Sequence, residues 1–223
     1  DILAKESIIF ENAFSQAPHT TPSHASIFTS LYMFQHGAFN ESYRLPEKFV
    51  TLAEIMKSNG YSTVAFVGDG AVSARNGFSR GFEKYDDHAF MFSITVPKAI
   101  KWVEGNKEKK FLLFLHGYEA HEPYGDSEFS NLFIESNYSG KFNFNQVSRT
   151  DITGRNLSEE DIGYIKAKYD GDIRQADKFI GLFIKKLKHL GLYNKTILVI
   201  FSDHGEYLGE MHSNLYRRFA HYD

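Results

Sequence analysis

The chain of 223 residues is 42% hydrophobic and 24% charged, enough apolar material for one large core, and its formal charge of −3 lacks the basic excess of a nucleic-acid binder. It contains no cysteine, which excludes disulfides, zinc–thiolate centres and thiol nucleophiles. No apolar run approaches the roughly 20 residues that span a bilayer, and the opening DILAKESIIF lacks the pattern of a signal peptide, so the chain reads as soluble with its compartment open.

A single domain over residues 1–223 is expected. Ile2, Leu3, Ile8, Ile9 and Phe10 read as part of an amphipathic helix, and FAHYD closes the sequence without a stop signal, so the pattern reads as a domain cut at both ends. In PHTTPSHASIFTSLY, residues 18–32, Pro22 suits the first helical position with Thr21 or Thr20 in the N-cap region, and Ile27, Phe28, Leu31 and Tyr32 pack inward. Thr51 and Glu54 form a capping box that opens a short helix closed by Gly60, and STVAFVG follows as a buried strand. Thr95 and Pro97 open a second helix through KAIKWVEGN, followed by the buried strand FLLFLHG. Residues 125–156 break this rhythm, being rich in Ser, Asn and Phe. They read as an irregular excursion near the site, with room for a small hairpin. From Ser158 and Asp161, apolar residues from Ile162 to Leu190 recur at spacings of three and four and define one long helix that Gly191 ends. TILVIFSDHG then reads as a third buried strand. Helix, turn and apolar strand in repetition predict an α/β domain with a mostly parallel sheet sandwiched between helices, whose ligands sit at the carboxyl ends of the strands.

The polar residues just past each strand are therefore the first candidates for chemistry. They are Asp69 after the first, His116 and His121 after the second, and Asp203 and His204 after the third, with His212 and His221 beyond. Aspartate and histidine together are the donors of a divalent-metal site, and Gly205 permits the turn that lets Asp203 and His204 reach one concavity. The alternative for SDHG is a strand-to-helix turn in which Asp203 only caps the next helix. At the helix of residues 18–32, the open backbone N–H groups and the positive end of the dipole suit a tetrahedral anion. A threonine hydroxyl there is placed to attack it, given a metal or a base for activation.

APHTTPSHASIFTSLYMFQHG, TLAEIMKSNGYSTVAFVG with RGFEKYDD, FLLFLHGYEAHEPY and the stretch YDGDIRQADKFIGLFIKKLKHLGLYNKTILVIFSDHGEYLGE resemble successive signatures of the sulfatase family, within the alkaline phosphatase superfamily. The resemblance covers nearly the whole chain in order. It implies that Thr20 occupies the nucleophile position, where sulfatases carry a Cys or Ser that becomes formylglycine, with Pro22 and Ser23 matching and His24 where the family has arginine. Threonine cannot become formylglycine, but phosphodiesterases and phosphoethanolamine transferases of the superfamily use threonine directly. The resemblance further implies metal binding by Asp203, His204 and, more loosely, His221, and substrate binding by Ser23 and His24. His121 then acts as the histidine at the substrate or leaving oxygen, with His116 beside it. The family's acidic first strand is expected before residue 1. The expected function is a metal-dependent hydrolase of sulfate or phosphate esters, using calcium, zinc or manganese and acting on a small-molecule, glycan or lipid ester. A phosphotransferase or phosphodiesterase of the same superfamily, or a non-catalytic anion-binding domain, are the alternatives.

Overall fold

The computed structural model describes residues 2–68, 70–142, 145–152, 157–206 and 208. In chain order the elements are α1 (Ile2–Lys5), α2 (Thr20–Thr29), α3 (Met33–His36), α4 (Leu52–Ser58), β1 (Ser62–Phe66), β2 (Lys84–Asp86), α5 (Phe92–Asn106), β3 (Phe111–Leu115), α6 (Arg149–Ile152) and α7 (Glu159–His189). Among the described residues no helix is long and apolar enough to cross a membrane.

Period-two alternation along the two apolar strands explains the layers. Ala65 and Val67 of the β1 segment, with Leu112 and Phe114 of β3, pack against Ala25, Phe28 and Ala53 from α2 and α4. Val64 and Phe66, with Phe111, Leu113 and Leu115, face the other way, onto Val96, Ala99 and Val103 of α5 and Phe183 and Leu187 of α7. The sheet is thus buried on both faces between helices. Its order is β2-β1-β3 with both pairings parallel, and Val64 stands opposite Lys84 on one side and Leu113 on the other. A third cluster, including Tyr124, Phe142, Val147 and Ile165, lies between α7 and the irregular excursion.

The expected caps form. Thr51 accepts the Glu54 N–H at 3.2 Å while Glu54 Oε2 accepts the Thr51 N–H at 2.8 Å. Ser158 and Asp161 make the same reciprocal pair at 3.1 Å each. Gly191 follows α7 with φ +67°, the left-handed conformation that lets the chain leave the helix.

Six expectations need correction. Tyr32, expected to pack inward from α2, lies beyond the helix end and is 57% exposed. The N-terminal helix is limited to α1, and Ile8, Ile9 and Phe10 are exposed beyond it. In α2 the first helical residue is Thr20, with His19 as N-cap and Pro22 third, which is tolerated because first-turn N–H groups lack helical partners. Helix α5 starts at Phe92, one turn before Thr95, and carries Pro97 inside it, where the missing N–H removes one bond from the ladder. TILVIF forms no ladder among the described residues: Ile197 is 93% exposed and Val199 69%. An apolar extended segment becomes a strand only where a neighbour offers backbone partners, and none of the described strands pairs with it. The excursion holds an isolated antiparallel bridge, Tyr124 to Val147, instead of a hairpin. Asp69, His212 and His221 lie outside the described residues.

Candidate active site

Helix α2 opens the site. Its N-cap His19 makes no capping bond with its side chain. The Thr21 N–H instead donates to the Glu41 carboxylate at 3.2 Å, and the Thr21 hydroxyl lies 2.7 Å from the same oxygen, so a carboxylate 20 residues further along the chain closes the helix end. That leaves the Thr20 side chain directed elsewhere. Thr20 is 7% exposed, and its Oγ1 lies 3.1 Å from His204 Nε2. His204 Nδ1 is 2.9 Å from the Gly205 carbonyl, which can only accept. The ring proton therefore sits on Nδ1, and Nε2 accepts from the Thr20 hydroxyl.

Asp203 stands beside this pair. Its Oδ2 lies 3.5 Å from His204 Nε2 and 3.5 Å from His24 Nδ1, and it is buried without a hydrogen-bond partner. The Asp203 carbonyl is pinned by two hydroxyls, Ser23 at 2.6 Å and Ser15. His24 Nδ1 donates to the Thr20 carbonyl at 2.9 Å, so its proton is committed to the helix and not to Asp203. Burial pushes the His24 imidazole below its ordinary range. Burial, reinforced by His24 with ring centroids 5.1 Å apart, pushes His116 down to about 3. Burial alone would raise Asp203, but the imidazoles of His24, His204 and His116 outweigh it and hold the carboxyl below its ordinary value. At neutral pH the site therefore holds an anionic Asp203 against neutral His24 and His116.

The opposite wall comes from the loop after β3. A cavity of about 90 Å³ is lined by Thr20, Asp203 and His204 on one side and by His116, Tyr118 and His121 on the other, with Tyr169 of α7 and Glu206 at its margin. His121 Nδ1 donates to the Glu122 carbonyl at 2.7 Å. Tyr118 stands between the two histidines, its ring centroid 4.7 Å from that of His116 and 5.5 Å from that of His121. The buried Tyr124 hydroxyl donates to Glu206 Oε2 at 2.6 Å and holds that carboxylate at the rim. A larger hollow of about 460 Å³, bounded by Glu6, Lys188, Gly191, Tyr193 and Asn194, shares no residue with this cluster.

A threonine hydroxyl at a helix start thus faces an Asp–His pair at the end of an apolar segment, and the family model for sulfatases matches residues 1–223. The chain belongs to the sulfatase family. It is 28% identical over 249 aligned residues to an ulvan-active sulfatase of Formosa agariphila, covering 94% of this chain and 45% of that protein. It is 24% identical over 260 residues to arylsulfatase K of Bos taurus, covering 93% and 48%. This sulfatase-family chain thus spans about half the length of the curated relatives it matches. Solved structures agree on the fold. One, in complex with its substrate D-glucosamine-2-N,6-O-disulfate, superposes with a TM-score of 0.72 at 17% identity over 98% of this chain and 61% of that one. A phosphonate monoester hydrolase of Agrobacterium radiobacter gives 0.69 at 17% over 88% and 55%.

Within this sulfatase fold the structure brings Thr20, His116, His121, Asp203 and His204 to one cavity. Ser23 and His24 are not among its lining residues: both turn inward, toward Asp203 and its backbone. Sequence reasoning did not reach Ser15, Glu41, Tyr118, Tyr169 or Glu206. Tyr118, Tyr169 and Glu206 lie within the quoted stretches without being marked there by residue type, whereas Ser15 and Glu41 lie outside them, and only the folded chain brings these residues to the site.

The fit of a divalent ion can be judged from the donors. Asp203 Oδ2, His204 Nε2 and Thr20 Oγ1 converge, and the buried Asp203 Oδ2 has no hydrogen-bond partner, an oxygen that a cation would satisfy. Among the described residues no group of three His, Cys, Asp or Glu side chains is arranged to hold a metal, so a divalent ion here would need donors beyond Asp203 and His204.

Proposed function

We propose that this chain carries the catalytic centre of a metal-dependent hydrolase of sulfate or phosphate esters, with Thr20 as nucleophile. The observation that carries this reading is the 3.1 Å approach of Thr20 Oγ1 to His204 Nε2, beside the buried, unpartnered Asp203 Oδ2. Asp203 and His204 would hold the ion; His221, outside the described residues, is a further candidate. A bound divalent ion would favour the alkoxide form of the Thr20 hydroxyl and offset charge on the ester oxygens. Carboxylate and imidazole donors without thiolate suit zinc or manganese better than calcium, which prefers oxygen ligands alone.

The chain's own residues define the remaining roles. Thr20 Oγ1, its proton released to water, attacks the phosphorus or sulfur atom. The bond to the ester's alcohol oxygen breaks, and that oxygen leaves toward the opposite wall and takes up a proton from water. A further water then cleaves the Thr20 ester. We assign His121 to the alcohol oxygen: with its Nδ1–H held by the Glu122 carbonyl, its Nε2 is left to accept from the hydroxyl of the released alcohol. His116, held neutral by burial, closes the wall beside Tyr118 and is not the proton donor. Ser15 and Ser23 fix the main chain at Asp203 and so its carboxylate. Ser23 and His24 thereby support the substrate site from behind. The names of the relatives support a glycan ester as substrate class. The threonine favours a second reading within the same chemistry, transfer of a phosphoryl group to an acceptor other than water.

The test is turnover of p-nitrophenyl phosphate, its phosphodiester and p-nitrophenyl sulfate by the complete protein, with zinc, manganese or calcium added in turn. Release of nitrophenol from at least one substrate, dependent on metal, is expected. Silence on all three, without a thermal shift on adding any metal, would replace the catalytic reading with a non-catalytic anion-binding domain.

A further inference from the structure

Of residues 116–121, all but Glu119 line the cavity. The Glu119 side chain turns the opposite way and is 5% exposed. Its Oε1 accepts the N–H of Phe92, the first residue of α5, a helix with no acidic residue in its first turn and no side-chain bond from its N-cap Met91. Its Oε2 is buried without a hydrogen-bond partner and lies against Gly117, where an added Cβ would come within 2.5 Å of it and 2.8 Å of the Phe92 ring. One residue back, the Tyr118 N–H donates to the Phe90 carbonyl at 2.9 Å. Residues 117–119 are thus fastened along 90–92. The Tyr118 ring is seated so closely on Gly68 that a Cβ there would come within 2.4 Å of it. A ring held this tightly transmits a shift of the loop to the two histidines it touches.

We propose that Glu119 is a positioning residue for the reaction inferred above: it does not reach the cavity, but by gripping the start of α5 it sets where Tyr118 and His121 stand opposite Thr20. A carboxylate that only capped α5 could sit on any neighbouring segment. This one is built into the loop that forms half the cavity wall. The activity arm of the test rests on the proposed hydrolysis, while the structural arm does not.

The experiment compares Glu119→Ala, Glu119→Gln and Glu119→Asp in the complete protein by hydrogen–deuterium exchange of the 116–124 segment and by kcat and KM per folded molecule. Glu119→Gln keeps an oxygen for the Phe92 N–H and is expected to stay near wild type in both. Glu119→Ala is expected to speed exchange of 116–124 roughly tenfold relative to β1 and α7. It should also lower kcat by roughly 10- to 100-fold with a smaller change in KM, the effect of a misplaced wall. Glu119→Asp, too short to span the same gap, should follow Ala and carries the test if Ala does not fold. Exchange that rises uniformly over the fold, with kcat per folded molecule unchanged, would reduce Glu119 to a helix cap and overturn the proposal. If the wild-type protein turns over no ester, the proposed function fails, and the exchange data still decide whether Glu119 holds the loop.

Discussion

Replacing Thr20 by valine and by serine separates its packing from its hydroxyl. Thr20 is 7% exposed, and its only side-chain hydrogen bond described above is to His204 Nε2 at 3.1 Å. It is the first helical residue and not the N-cap, so no capping bond is lost. Valine keeps the β-branched shape and nearly the same helix propensity, leaving the loss of one hydrogen bond, about 0.5–1.5 kcal/mol. Serine keeps the hydroxyl and removes one buried methyl, about 0.8 kcal/mol. Both variants should therefore melt within roughly 2–4 °C of wild type for a chain of this size. If Thr20 supplies the attacking oxygen, Thr20→Val should lose on the order of 10⁴-fold or more in kcat/KM, roughly 5.5 kcal/mol of transition-state stabilisation. Thr20→Ser should keep most of the activity. The gap between roughly 1 and 5.5 kcal/mol is what makes the pair informative, because no partial unfolding of a variant this stable accounts for it. Melting curves with p-nitrophenyl ester turnover provide both numbers, and mass spectrometry of quenched reactions should find a phosphoryl or sulfuryl adduct on the Thr20 peptide. Turnover by Thr20→Val within tenfold of wild type would remove Thr20 from the chemistry.

Asp203→Asn removes the unpartnered carboxylate oxygen and should lower bound zinc or manganese, measured by elemental analysis, and should also lower the metal-free melting temperature somewhat at neutral pH, because the fold holds the ionised carboxyl below its ordinary value; unchanged metal content would take Asp203 out of the coordination set. Burial raises Glu119 from 4.5 to about 7, against opposing hydrogen bonds from backbone amides, so between these values the folded chain retains a proton that the unfolded chain has released. Its contribution to stability is full below 4.5 and falls as pH rises to about 7, by on the order of 3 kcal/mol. Urea midpoints from about pH 4.5 to about pH 7.5 should decline less in Glu119→Gln than in wild type, and parallel profiles would refute the assignment. Gly117→Ala should cost about 1–3 kcal/mol, because the new methyl meets Glu119 Oε2 at 2.5 Å and the Phe92 ring at 2.8 Å. In a double-mutant cycle with Glu119→Ala part of that cost should vanish, and strict additivity would show that the two residues do not meet.

The capping boxes at Thr51 and Ser158, the strands at 62–66, buried, and 111–115, half-buried, and the long stripe of α7 were legible in the sequence, since each is encoded by residues within a few positions of one another. Part of the candidate site was legible too: Asp203–His204 past an apolar run mark themselves by residue type and local pattern, whereas Thr20 rather than Thr21 was singled out only by the resemblance to the sulfatase family. Partners across the chain were not legible. The charged strand Lys84–Asp86 exists because its backbone meets β1 in register, and the apolar TILVIF forms no ladder because no described strand meets its backbone. Glu41 closes α2, Glu119 closes α5, and Ser15 reaches Asp203 from 188 positions away. Side-chain periodicity records which face of an element leaves water, a property each segment carries by itself. A backbone hydrogen bond or an ion pair needs a second group at a fixed distance and angle, and only the folded chain decides which group that is.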